Sequence, residues 1–234
     1  MIIISDAHVN EALGNHTQFF DMLAALEACD HDLIFLGDIF DLWIALPRYE
    51  REIHRRFLSW CQQQKQRRTI GFIEGNREYF LADERKSFFS WCTSGAFWQD
   101  ELGNVFCHGD QVNRRDRNYL LFRKLSKNSI SKQILRCLPL GPQFVEYMKV
   151  RLKETNLDFR KQLPRQEIKG FAEHRFKKGG RIIFVGHFHK EYRYHGHAGG
   201  ELHTVRGWLG TGTVTLFDQK HRTVEHRNWQ DLLD

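Results

Sequence analysis

Five short apolar runs recur along the chain, and each gives way at once to polar residues. Ile2-Ile3-Ile4 leads into Ser5-Asp6-Ala7-His8, and Leu33-Ile34-Phe35-Leu36 into Gly37-Asp38. Ile70-Gly71-Phe72-Ile73 passes through Glu74 to Gly75-Asn76. Val105-Phe106-Cys107 precedes His108-Gly109-Asp110, and Ile182-Ile183-Phe184-Val185 precedes Gly186-His187-Phe188-His189. Runs this short, rich in β-branched and aromatic residues, predict buried strands. Between the first of them the period changes. Phe19, Met22, Leu23 and Leu26 share one helical face within Phe19 to Cys29, and Ile53 to Cys61 has a similar pattern. Strand, helix, strand predicts parallel β-α-β units, hence a mixed α/β (α+β) fold. In open sheets of that kind sites gather at the carboxyl ends of strands, where Asp, Asn and His stand here.

Two regions break the alternation. Glu201 to Trp208, Thr213 to Asp218 and Thr223 to Trp229 read as strands joined by Gly-rich or polar turns, predicting a second sheet packed against the first. Residues from about 112 to 163 are helical in pattern, with Pro139 and Pro142 near the middle, and read as a helical insertion over the site. The chain as a whole, residues 1–234, is expected to form one domain carrying this insertion.

Composition confirms a globular chain, with 41% hydrophobic and 13% aromatic residues, and argues against disorder. Charge changes the picture more. Of 35 Lys and Arg and 29 Asp and Glu, 14 and 4 fall between Arg114 and Arg165, leaving 21 and 25 elsewhere. The insertion alone is basic, which favours an anionic partner: a phosphorylated substrate, nucleic acid or a membrane surface. The start of the chain has no basic region or cleavage site of a signal peptide. The longest apolar stretch, Leu33 to Leu46, is interrupted by Asp38 and Asp41 and is too short to span a bilayer. Five widely spaced cysteines without Cys-x-x-Cys predict reduced thiols and a cytoplasmic location.

The polar residues at the strand ends have the chemistry of a dinuclear metal site. Two hard cations need about four ligands each, drawn from carboxylate, amide oxygen and imidazole. If the chain stays extended, Asp6 and His8 face the same way and reach one ion. Asp38 has two oxygens to share between ions, and Asn76 adds a neutral one. His108, His187 and His189 complete the set, and the near absence of cysteine favours manganese or iron over structural zinc. Asp-x-His, Gly-Asp or Gly-Asn alone is commonplace after a strand. Gly-His-x-His is harder to explain by packing, and all five in this order point to metal. His16, His31, His54, His195 and His221 read as solvated surface residues.

Asp6-x-His8, Gly37-Asp38-x-x-Asp41, Gly75-Asn76, His108 and Gly186-His187-x-His189 resemble the calcineurin-like metallophosphoesterase signature over residues 1 to about 190. The resemblance implies a two-sheet β-sandwich flanked by helices. It places Asp6, His8, Asp38 and His189 on one metal ion, and Asp38, Asn76, His108 and His187 on the other. Two ions about 3.5–4 Å apart can activate water and clamp an in-line displacement at phosphorus. Most such enzymes carry histidine after Gly-Asn, able to protonate an alkoxide leaving group. Here Arg77 stands in its place and has no proton to give near neutral pH, which fits a phosphate leaving group and a phosphoanhydride substrate.

Gly75-Asn76-Arg77, the block Leu36 to Ile44, and His108-Gly109-Asp110 followed by Asp116, Tyr119, Phe122 and Arg123 are similar to a narrower branch, the UDP-2,3-diacylglucosamine pyrophosphatases of lipid A biosynthesis. That resemblance implies attack of water on the α-phosphorus, releasing UMP and 2,3-diacylglucosamine 1-phosphate. Asp38 and Arg77 would be catalytic, and Asn76, Arg77, Asp116 and His187 would touch substrate. Two divalent ions, with Mn2+ favoured, would be the cofactors. In the insertion, Phe122, Leu125, Ile130, Ile134, Leu135, Leu138, Phe144 and Met148 supply apolar surface among basic residues. A lid of that kind could bury acyl chains and rest on anionic membrane, placing the protein at the inner face of the bacterial inner membrane. The plainer alternative is an amphipathic helical pair packed on the core. The branch's Ser- and Lys-containing lid motif is not recognisable; Lys149, Arg151, Lys153 and Asn156 are the residues that could substitute. Competing functions are a nuclease of the same superfamily, although the basic segment lacks a regular aromatic stacking platform, and a non-catalytic metal-binding scaffold, although all seven ligand positions are filled.

Overall fold

A computed structural model describes residues 1–147, 163–197 and 199–232. The elements run β1 (Ile2–Ile4), α1 (Asn15–Ala25), β2 (Leu33–Phe35), β3 (Trp43–Ile44), α2 (Glu52–Gln64), β4 (Ile70–Ile73), β5 (Glu78–Tyr79), α3 (Leu81–Glu84), β6 (Trp91–Thr93), β7 (Trp98–Gln99) and β8 (Asn104–Cys107). There follow α4 (Arg117–Ser126), α5 (Ser129–Cys137), α6 (141–147), α7 (Arg165–Phe176), β9 (Ile182–Val185), β10 (Arg193–His195), β11 (Glu201–Thr204), β12 (Thr213–Asp218) and β13 (Thr223–Asn228). Met148, Lys149, Arg151, Lys153 and Asn156, assigned above to the lid, lie outside the described residues.

Two sheets form. One has the order β13-β12-β1-β2-β4-β6, parallel from β1 to β6; the other has the order β10-β11-β9-β8-β7, with β8, β9 and β11 parallel. Strands buried on both faces explain the unbroken apolar runs. Ile3, Ile34, Leu36 and Ile73 of the first sheet side pack with Phe106, Ile182, Phe184 and Phe217 between the sheets. The alternate residues Ile2, Ile4, Leu33, Phe35, Ile70 and Phe72 face outward onto Phe19, Met22 and Leu23 of α1 and Phe57 of α2. On the far side, Val105, Ile183, Val185 and Leu202 pack on Ile168, Ala172 and Phe176 of α7. Burying each large apolar side chain contributes roughly 1.5–3 kcal/mol, which sets the register of every strand.

The expected strands thus appear, but the second sheet is not made of the three C-terminal ones. Only β11 enters it. β12 pairs antiparallel with β1, with Ile2 opposite Leu216, and β13 pairs with β12, so both extend the first sheet. β12 supplies Val214 to one face and Phe217 to the other, so it fits the exposed edge of the central strand β1. His54 also departs from expectation. It is buried, stacked on Trp43 at 5.1 Å, and its Nδ1 accepts the Arg51 N–H at the start of α2.

The insertion packs on the core through one face and leaves an apolar face exposed. Its inner face docks on the short β3-β5 ribbon, where Leu135 and Val145 pack against Ile44, Leu46 and Phe80. Tyr49 donates to the Leu135 carbonyl at 2.7 Å, and Lys132 and Arg136 pair with Glu84. Its outer face leaves Phe122, Leu125, Ile130, Ile134 and Phe144 more than half exposed. Among the described residues, no helix is long and apolar enough to cross a membrane.

Candidate metal centre

The strand ends converge. β1, β2 and β4 of one sheet and β8 and β9 of the other deliver every residue expected to bind metal to one rim of the sandwich. Among the described residues two potential metal-binding groups form: Asp6, His8 and His189, and Asp38, His108 and His187. In each group the candidate atoms lie within 4.8 Å of one another. His189 Nε2 stands 3.3 Å from Asp6 Oδ1, and His108 Nε2 stands 3.5 Å from Asp38 Oδ1. Asp38 faces both groups, since its other oxygen, Oδ2, lies 4.0 Å from His8 Nε2. Asn76 Oδ1 lies 3.1 Å from His108 Nε2, which puts it with the second group.

The expectation that Asp6 and His8 sit on an extended chain is overturned. Asp6, His8, Asp38, His187 and His189 all have left-handed backbone, with φ of 53°, 43°, 51°, 69° and 54°. Such conformations cost a non-glycine residue of order 1–3 kcal/mol and persist where the surroundings impose them. The ends of β1, β2 and β9 turn sharply instead of running on, and the turns after β1 and β9 aim both side chains of a pair inward. Gly75 makes room for this: a Cβ there would lie 2.3 Å from Asp38 Oδ1. Likewise, a Cβ on Gly186 would meet Ser5 Oγ at 2.2 Å.

Hydrogen bonds orient the candidate ligands. Asp6 Oδ2 accepts from Ser5 Oγ at 2.5 Å and from the His187 N–H at 2.8 Å. Its Oδ1 is buried with no partner, as is His8 Nε2. Unpaired polar atoms so deeply buried are costly, and these two face the same space, so the donor set fits a cation. His108 Nδ1 lies 2.7 Å from the Leu36 carbonyl, which can only accept, so the proton sits on Nδ1 and Nε2 is left as a ligand atom. Burial holds His8 below the ordinary imidazole range, as it does His187, there with help from nearby His108. Both are therefore neutral and able to bind metal at pH 7. Burial opposes a charge on His108 too, but the carboxylates of Asp38, Asp6 and Asp110 outweigh it and raise its pKa. Burial would raise Asp6, yet the imidazoles of His108, His189 and His8 and the Ser5 hydroxyl bring it below the usual carboxylate range.

Arg77 enters the site through its main chain, its N–H donating to Asp38 Oδ1 at 2.8 Å, while its side-chain Nε is buried without a partner. Asp116 lies outside both metal-binding groups and caps α4, accepting the Tyr119 N–H at 3.0 Å.

Several residues around the centre were assigned no role from the sequence. Glu78 is fully buried and accepts the N–H groups of Asp38, Ile39 and Gly75 at 2.8–2.9 Å, tying two of the loops together. Burial, with Asp38 nearby, pushes its carboxyl up to about 7. Asp110 accepts from Arg123 Nε at 2.7 Å and from the Tyr119 hydroxyl. The segment after β11 holds the Asp6 turn from outside, with Trp208 and Leu209 N–H groups on the Ser5 and Asp6 carbonyls. The motif His108-Gly109-Asp110 could have pointed to Asp110; nothing local marks Glu78 or Trp208.

No protein-family profile matches the chain. It is 30% identical over 159 residues to a Pseudomonas fluorescens protein named UDP-2,3-diacylglucosamine hydrolase, an alignment covering 60% of this chain and 58% of that relative, which is under two thirds of its length. A Shewanella protein of the same name is 25% identical over 92% of both chains. Among solved structures, a dimetal phosphatase from Danio rerio aligns over 93% of this chain and 92% of its own, at 12% identity and a TM-score of 0.41.

Proposed function

We propose that this chain is a dinuclear metal-dependent phosphohydrolase that cleaves the pyrophosphate bond of UDP-2,3-diacylglucosamine, releasing UMP and 2,3-diacylglucosamine 1-phosphate. The observation that carries the reading is the pair of metal-binding groups facing the two oxygens of Asp38. Similarity to proteins named for that substrate supports the choice among phosphohydrolases. Asp6, His8, Asp38 and His189 would hold one divalent ion, and Asp38, Asn76, His108 and His187 the other, with Mn2+ favoured by the nitrogen and oxygen donors. When bound, the two ions supply Lewis acidity at phosphorus and lower the pKa of water.

The chain's own residues do the rest. Asp38 fixes the spacing of the two groups because one rigid carboxylate serves both. Arg77, with a buried Nε lacking a partner, binds an oxygen of the substrate diphosphate and stabilises the charge that develops on it. Arginine donates no proton, and the departing phosphate needs none. Asp116 keeps one oxygen on its helix cap and offers the other to the sugar of the substrate. The outward face of the insertion, with Phe122, Leu125 and Ile134, takes the acyl chains, and its basic surroundings hold the protein at an anionic membrane surface on the cytoplasmic side.

The deciding experiment incubates Mn-loaded protein with UDP-2,3-diacylglucosamine and follows UMP release, with single-stranded DNA assayed in parallel. UMP release without DNA cleavage is expected. DNA cleavage without UMP would make the chain a nuclease, and inactivity on both at full metal occupancy would leave a binding scaffold.

A further inference from the structure

Helix α4 has two faces with different partners. Leu121, Phe122 and Leu125 are exposed, whereas Tyr119, Arg123 and Lys127, one turn apart in succession, point inward. Tyr119 and Arg123 bind Asp110, two residues after His108. Lys127 reaches further. Its ammonium donates to the carbonyls of Gly75 and Glu78, at 2.5 Å each, and lies 3.8 Å from the Glu74 carboxylate. These two carbonyls bracket Asn76 and Arg77. The ring of Tyr79 lies beneath the same ammonium, 4.9 Å from its centre.

Only 8% of the Lys127 side chain is exposed, and burying an ammonium is unfavourable unless its donors are hydrogen-bonded and its charge is balanced. Here two carbonyls take two of the three donors, and the Glu74 carboxylate 3.8 Å away balances the charge. From the other side, Glu78 grips the same loop through the Gly75 N–H and joins it to Asp38 and Ile39. Asn76 and Arg77 therefore sit on a four-residue loop, Gly75–Glu78, whose path is set by one charge from β5 and one from the insertion.

We propose that Lys127 is a positioning residue that fixes the Gly75–Glu78 loop, so that the seating of the insertion on a ligand is transmitted to Asn76 and Arg77. The proposal deepens the function proposed above and rests on it. The insertion is then part of the active site's geometry as well as a cover for acyl chains. Lys127 touches neither metal ligand side chains nor the place expected for substrate, so it acts through the loop alone.

The test compares Lys127→Arg, Lys127→Met, and Lys127→Met combined with Glu74→Gln, which removes the carboxylate left unpaired. Thermal unfolding, metal content, amide hydrogen exchange at residues 75–78, and kcat and KM for UMP release are measured on each. The double variant is expected to keep its metal and to unfold below the wild-type temperature, because Met leaves the Gly75 and Glu78 carbonyls without this donor. Its loop amides should exchange faster and its kcat should fall about tenfold to a hundredfold, the range for a slightly misplaced catalytic group. Lys127→Arg, which retains a cation, should lie between it and the wild type. Wild-type exchange and wild-type kcat in the double variant would overturn the proposal, and in Lys127→Arg they would do so if the methionine variants fail to fold. Should the wild type release no UMP, the functional reading fails by itself, and exchange at residues 75–78 still decides whether Lys127 sets the loop.

Discussion

At the scale of single residues, the proposed function gives Asp38 the holding of metal and Arg77 the holding of substrate. Asp38 belongs to one group and faces the other, so on the proposed function Asp38→Ala is expected to lower metal content for both ions and abolish UMP release; near-normal metal by elemental analysis would contradict its shared role. Arg77 contributes its N–H to Asp38 whatever its side chain, so Arg77→Ala should keep its metal. Turnover should nevertheless fall by roughly 10²–10³, the usual effect of losing one donor to developing charge. Loss of metal in that variant would assign Arg77 a structural role. The residues that converge in the candidate metal centre were legible in the sequence because unlike side chains at five strand ends have no packing explanation. Their orientation was not. Asp6 and His8 looked like an extended pair, but left-handed backbone is a product of tertiary constraint, and no residue type in Ser5-Asp6-Ala7-His8 announces it.

Elements show a different balance. The strands under the site were plain from their apolar runs, and α1 and α2 from their period. Two-residue strands such as β3 and β5 were invisible, since two residues carry no period, yet that ribbon seats the insertion and begins where Arg77 ends. The insertion's inner and outer faces were also inseparable in sequence, because both are apolar residues at helical spacing. Their difference predicts a clean separation of effects. Phe122→Asp with Ile134→Asp changes only exposed positions and should shift unfolding free energy by no more than about 0.5 kcal/mol each. The KM for the diacyl substrate should rise, while hydrolysis of a small water-soluble phosphodiester should be unaffected. Equal losses on both substrates would mean that this face supports the fold and not the lipid.

Across the whole molecule, the site depends on how the two sheets are held together. Phe184 sits between them, 5.0 Å from the Phe217 ring and stacked on Phe106 at 5.5 Å. Phe184→Ala should cost about 3–5 kcal/mol in urea unfolding. Since β9 also carries His187 and His189, metal affinity should drop in the surviving folded fraction, and unaltered affinity would show that the two sheets are coupled by other contacts. Assignment of β12 and β13 to the first sheet was beyond sequence reasoning. Strand character is local, whereas the partner of a strand is decided by which edge is open, and here that edge belongs to β1 at the opposite end of the chain.

The His187 N–H bond to Asp6 Oδ2 joins positions 181 residues apart. During synthesis, the first candidate ligands leave the ribosome long before the last. For most of that interval Asp6, His8 and Asp38 have no imidazoles from β9 to complete either group, and β1 has no β12 at its side. A nascent chain would therefore be a poor metal binder and an inert one. On the proposed function, hydrolytic capacity would arrive only once β9 and β12 have emerged, so that a chain stalled before them would leave phosphoanhydrides intact.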